Sequence, residues 1–156
     1  MGMDPFNFAD SLLAVLAQRL VRRWCSHCLS SRPATEEEIH ELLDDSMHAF
    51  GKTPAVSRDE LLAGWITRHS QDGRLMHHHS PGCKECNHTG YKGRVGLHEL
   101  MVVSREVRSL IQTGARAEQL QQAAMLEGMR CLRHDGIEKV WAGLTSIEEV
   151  RATSNV

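Results

Sequence analysis

PGCKECNHTGYKGRVGLHELMVV, residues 81–103, runs from a C-x2-C knuckle directly into a strand-like segment. Gly82, Gly90 and Gly93 surround Cys83 and Cys86, and glycine supplies the positive φ that a tight turn around an ion requires. From Arg94 onward, Val95, Leu97 and Glu99 fall on one face of an extended chain and Leu100 and Val102 on the other. The complement lies upstream. AQRLVRRWCSHC, residues 17–28, carries a matching knuckle at Cys25 and Cys28, preceded by a segment that fits helical and strand periods about equally. As a strand, that segment would pair with 94–103.

Two C-x2-C pairs in a reducing compartment point to metal ligation, because thiolates bind zinc tightly while cellular reductants keep cysteines from pairing with each other. Cys25, Cys28, Cys83 and Cys86 are therefore the candidate ligands of one structural Zn2+, which needs four protein donors and leaves no open position for water or substrate. The entropy of closing so long a loop grows only logarithmically, whereas a structural zinc site contributes on the order of 10–16 kcal/mol in small peptides. Redox C-x-x-C motifs are disfavoured because neither pair opens a helix after a strand. A mixed Cys/His site using His27 or His88 is the subtler rival, and four thiolates are simpler. Cys131 stands apart in a helical stretch and is expected to be a packed, inert thiol.

Composition agrees with a chain that folds around an aliphatic core: 156 residues, 41% hydrophobic but only 4% aromatic. With 18 basic against 20 acidic residues the net charge is −2, so nucleic acid is not an expected partner. No apolar run approaches the roughly 20 residues of a membrane span, and MGMDPFNFAD lacks the regions of a secretory signal. A cytoplasmic location is expected.

The remaining chain reads as mostly helical. Asp4 and Pro5 open a helix carrying Ala9, Leu12, Leu13 and Leu16 on one face. Thr35 with Glu38 and Ser57 with Glu60 form capping boxes for two helices between the knuckles, and Ser70–Pro81 reads as a polar loop. Ser104 caps a helix ending at Gly114, a second covers about Ala117–Glu127, and a third runs from about Met129 to Ala142. Thr145 with Glu148 would cap a last short helix. Val107, Leu110, Ile111, Leu120, Ala124, Leu132, Ile137, Val140, Trp141 and Leu144 are expected to share one core. The fold class is thus α+β, mostly helical, with a small antiparallel sheet, a tetracysteine zinc subdomain and a C-terminal helical bundle.

Catalytic motifs fail on their own terms. Gly51-Lys52-Thr53 is the tail of a phosphate-cradling loop, but Ser46 stands where the first glycine belongs. His40-Glu41 and His98-Glu99 lack the second histidine of H-E-x-x-H, since Asp44 and Val102 occupy that position. The chain alone is not expected to be an enzyme. His77-His78-His79 reads as a solvated loop. Arg19, Arg22 and Arg23, with Arg94 nearby, form a basic patch, read first as solvated or internally paired and second as a peripheral membrane or acidic-partner contact.

AQRLVRRWCSHC, GCKECNHTGYKGRVGLHELMVVSREVRSLI and EGMRCLRHDGIEKVWAGLTSIEEV, in that order, closely resemble the C-terminal region of the type II secretion ATPase and type IV pilus assembly ATPase family. The resemblance implies that the chain begins partway through such a protein. On that basis residues 1–24 are the tail of the ATPase core, 25–88 the tetracysteine subdomain with a two-helix insertion, and 89–156 a strand followed by a helical subdomain. It implies a hexameric motor coupled to an inner-membrane platform protein and cytoplasmic recruitment proteins, peripheral to that membrane, with ATP and Mg2+ bound in an upstream nucleotide-binding domain. Val107, Arg108, Leu110 and Ile111 resemble part of the AIRNLIRE motif linked to force output in pilus-retraction relatives, from which Ser109, Gln112 and Thr113 depart. A stand-alone zinc-knuckle module of the DnaJ type is the alternative, although Asn87-His88-Thr89-Gly90 misses that unit's first glycine and the two pairs here are widely separated.

Overall fold

The computed structural model describes residues 4–155. Its elements are α1 (Pro5–Ser11), β1 (Ala14–Trp24), β2 (Ser30–Pro33), α2 (Glu36–Phe50), α3 (Arg58–His69), β3 (Met76–His79), β4 (Tyr91–Val102), α4 (Arg105–Gln112), α5 (Ala117–Leu126), α6 (Leu132–Trp141) and α7 (Ile147–Thr153). A single turn of 3-10 helix covers Lys84–Cys86. The architecture is the expected mostly helical α+β arrangement with small antiparallel sheets and a tetracysteine cluster.

The ambiguous segment before Cys25 is a strand. β1 pairs antiparallel with β4 from Ala14↔Val102 to Trp24↔Tyr91, with an irregularity between Arg22 and Trp24. This ladder ends the first helix at Ser11, so Leu16 leaves the predicted helical face and stands 62% exposed opposite Leu100. A long ladder satisfies more backbone groups than an extra helical turn, which settles the local tie. The alternation read in β4 is real: Leu97 is fully buried, whereas Leu100 and Val102 are exposed.

The polar loop expected at Ser70–Pro81 contains a strand. β3 pairs with β2 from Ser30↔His79 to Pro33↔Met76, and Leu75 just before it is buried. His77-His78-His79 therefore lies in a sheet. The His77 Nδ1 atom is 3.0 Å from a Glu38 carboxylate, and the His79 ring meets Trp24 edge-on.

Packing corrects the single-core expectation. One cluster joins Leu42, Leu43, Trp65 and Leu75 to Ile137 and Trp141, so the helices between the knuckles pack on α6. A second, around Val21, Leu97 and Val150, glues the β1–β4 ribbon to α6 and α7. A third, around Val103, Val107 and Ala124, holds α4 and α5 against the far end of the ribbon. The α6–α7 contact is close: a Cβ on Gly136 would overlap the Val150 side chain.

The helix ends follow capping chemistry with two shifts. Thr35 and Glu38 make the reciprocal box, with Glu38 N–H donating to Thr35 Oγ1 at 3.1 Å and Thr35 N–H to Glu38 Oε1 at 2.9 Å. Ser57 accepts from Glu60 N–H without the return bond. The cap of α7 is Ser146, accepting from Glu149 N–H, one residue later than expected, because Thr145 donates its hydroxyl to the Arg22 carbonyl. α6 starts at Leu132 rather than near Met129, with Cys131 in the cap position.

Candidate metal centre

The knuckles sit where the ribbon ends. β1 delivers Cys25 and Cys28, and the turn before β4 delivers Cys83 and Cys86. Backbone geometry closes this end: Cys25 N–H donates to the Gly90 carbonyl at 2.8 Å, and His88 N–H to the Cys83 carbonyl at 2.8 Å. Asn87 and His88 adopt positive φ of 53° and 61°, which lets the chain double back after Cys86. Gly90 is required at its position, with φ of 83° and no room for a Cβ beside the Ser80 carbonyl. The Ser80 hydroxyl in turn donates to the Cys25 carbonyl at 2.9 Å.

The result brings the four predicted sulfurs together. Cys25 Sγ lies 3.9 Å from Cys83 Sγ, Cys28 Sγ 4.0 Å from Cys86 Sγ, and Cys83 Sγ 3.9 Å from Cys86 Sγ. All four lie within 4.8 Å of one another. A tetrahedron with Zn–S bonds of about 2.3 Å has sulfur–sulfur edges of about 3.8 Å, whereas a disulfide needs about 2.05 Å. The spacing thus suits ligands around an ion, and all five cysteines are free thiols. His27 and His88 are outside this group, which is the one set of metal-competent donors among the described residues.

Electrostatics point the same way. Burial would raise the Cys86 thiol, but N–H groups of Cys83 and Gly90, each 3.2 Å from its sulfur, outweigh it and lower its pKa to about 6. Burial pushes Cys28 up to about 11, and its sulfur neighbours add to the rise. A divalent cation stabilises the thiolate form of each sulfur it binds, so the donor set fits a tightly held metal ion.

The centre is tied to the helical side through residues that motif reading passed over. Trp24 stacks on Tyr91 at 4.8 Å and 4°, the Arg22 guanidinium lies over the Tyr91 ring at 4.1 Å from its centroid, and the Tyr91 hydroxyl meets Ser146 Oγ at 2.8 Å. Trp24 N–H donates to the Leu144 carbonyl at 2.9 Å. An aromatic residue just before the first knuckle and another five residues after the second, opposite each other across the ladder, are the signal that would have found this stack.

The other candidates lie elsewhere. Arg22 forms a two-pronged ion pair with Glu149, at 3.0 and 2.8 Å, and its hydrogen bond to Glu149 raises its pKa. Arg94 is its cross-strand neighbour, Arg19 projects from the opposite face of the strand, and Arg23 is exposed. Val107 is fully buried in the third cluster with Ile111 packed against that cluster, and Arg108 donates to the Leu12 carbonyl at 3.4 Å. Leu110 borders an open groove with Gly51, Lys52 and Thr53. That Gly-Lys-Thr tripeptide follows a helix, not the strand that precedes a phosphate-cradling loop, and the Thr53 carbonyl accepts from Gln122. Cys131 is buried, with its sulfur 3.2 Å from His134 Nδ1 and its pKa raised by burial.

No helix among the described residues is long and apolar enough to cross a membrane. The family model described as "Type II/IV secretion system protein" matches residues 1–152. Type IV pilus assembly ATPase PilB of Thermus thermophilus is 38% identical over 152 residues, covering 97% of this chain and 14% of that protein. Type II secretion system protein E of Aeromonas hydrophila is 40% identical over 150 residues, covering 96% and 25% respectively. Type II secretion system ATPase E of Vibrio cholerae is 36% identical, with the same two coverages. The chain therefore spans between about a seventh and a quarter of the length of these relatives.

Proposed function

Because the chain belongs to the type II/IV secretion system protein family, we propose that it is the metal-clipped, non-catalytic portion of a motor ATPase serving protein secretion or pilus assembly. The observation that carries the metal role is the convergence of four sulfurs within 4.8 Å from knuckles 58 residues apart. Zinc is the ion whose bond lengths, coordination number and preference for thiolate match that set. Its role is structural: it pins the open end of the β1–β4 ribbon, and the Trp24–Tyr91–Ser146 chain passes that rigidity to α6 and α7.

In this reading residues 1–24 continue the ATPase core, 25–88 form the metal-bearing lobe and 89–156 the helical lobe. ATP and Mg2+ belong to a nucleotide-binding domain elsewhere in a hexameric motor. Movement of that ring reaches an inner-membrane platform through the rigid lobe, with cytoplasmic recruitment proteins holding the motor at the membrane. Arg19, Arg22 and Arg23 are the candidate contact with an acidic surface, and Val107, Arg108, Leu110 and Ile111 the candidate force-transmitting segment.

The test is made in the full-length motor. Cys25→Ser with Cys83→Ser should abolish secretion or pilus assembly in a strain lacking its own copy, while purified protein still binds ATP. Normal export by the doubly substituted motor would overturn the proposal.

A further inference from the structure

A second concentration of charge lies away from the cysteines, where α3, α6 and β4 meet. A cavity of about 320 Å³ there is lined by Arg68, Arg130, His98, Asp135, Glu138 and Trp65 among others. Both carboxylates are already satisfied. Glu138 accepts two bonds from Arg68, at 2.7 and 3.0 Å, and lies 2.9 Å from His69 Nε2. Asp135 accepts from Lys139 Nζ at 2.6 Å and from His98 N–H at 2.8 Å.

Arg130 is the lining cation with no carboxylate partner among the described residues. Its Nη1 donates to the carbonyls of Met129 at 2.8 Å and Met125 at 3.4 Å, and its guanidinium lies 4.9 Å from the Phe50 ring centroid. Its Nε and Nη2 make no hydrogen bond to described residues. Burial, and behind it the like charge of Arg68, lowers its pKa below the ordinary arginine value. A half-buried guanidinium that lines a cavity together with a second one, and has two nitrogens without hydrogen bonds to described residues, is stabilised by an oxyanion, which it can bind in a fork.

We propose that this cavity is an oxyanion-binding subsite in which Arg130 grips a phosphate or carboxylate group. Arg68, already held by Glu138, supplies long-range attraction, and Leu61 and Trp65 wall the site with apolar surface.

The test uses the whole chain with its metal retained, melted in sodium phosphate, sodium acetate and sodium chloride at equal ionic strength. For a Kd of about 1 mM, 20 mM of the bound anion should raise the folding equilibrium constant about 20-fold over chloride. A larger response to phosphate identifies a phosphate ligand, and a larger response to acetate a carboxylate one. Arg130→Gln should melt cooperatively in chloride and lose the anion response. If that variant does not fold, the Arg130 Nε–H resonance of the parent chain decides, since it should shift saturably with the bound anion. Equal melting in all three salts, an unmoved Nε–H signal, or an undiminished response in a folded Arg130→Gln would overturn the proposal.

Discussion

Lowering the pH from 7 to 5 should destabilise this chain, and the contribution of His134 can be worked out and isolated. His134 is 5% exposed, and its two ring nitrogens have opposite duties: Nδ1 accepts from Cys131 N–H at 3.1 Å, while Nε2–H donates to the Ser46 carbonyl at 3.0 Å. A proton on Nδ1 would point two donors at each other. Burial lowers its pKa from the ordinary 6.5 to about 4, with the Arg130 and Arg133 charges adding to the effect against the Ser46 carbonyl and Glu138. Below pH 6.5 the unfolded chain therefore takes up a proton that the folded one refuses. Stability rises with pH across this window, is fully present above 6.5, and is lost as the pH falls toward 4. For this shift the loss from His134 is about 2 kcal/mol between pH 7 and 5, and about 3 kcal/mol over the full window. Urea unfolding of the parent chain and of His134→Gln at both pH values isolates the term, because titration of the cysteine centre is common to both. The parent should lose about 2 kcal/mol more than the variant. Equal losses, or an NMR titration of His134 centred near 6.5, would refute the reasoning.

Gly136→Ala should cost about 1–3 kcal/mol despite alanine's better helix propensity, because its methyl group meets Val150, and Val150→Ala in the same chain should recover part of the loss in a double-mutant cycle. Ser146→Ala removes both the cap of α7 and the partner of the Tyr91 hydroxyl, and should lower stability by about 1–2 kcal/mol in thermal unfolding. Glu149→Gln should cost no more than about 1 kcal/mol, since the Arg22 side chain is 59% exposed, and added salt should narrow the difference from the parent.

Much of this arrangement was legible in the chain, for identifiable reasons. The cysteine pairs announced themselves because a metal site constrains spacing as tightly as chemistry. β4 was readable because one face meets α6 and α7 while the other meets solvent, and that contrast is written as alternation. β1 was not, since most of its residues are exposed on both faces and its pairing comes from the partner strand. MHHH at β3 carries no apolar alternation, so only β2 beside it reveals a strand. The one-residue error at the α7 cap has a similar source: Thr145 and Ser146 are equally good caps locally, and a distant Arg22 carbonyl claims the first of them. Division into three cores was hidden because apolar periodicity tells which face of a helix is buried, not against what.

X-ray absorption at the zinc edge, on chain purified without added metal, tests the central claim most directly. One zinc per chain with four sulfur neighbours at about 2.3 Å is the predicted result. A chain free of tightly held metal, or an ion bound through imidazole nitrogen in place of any of the four sulfurs, would contradict it.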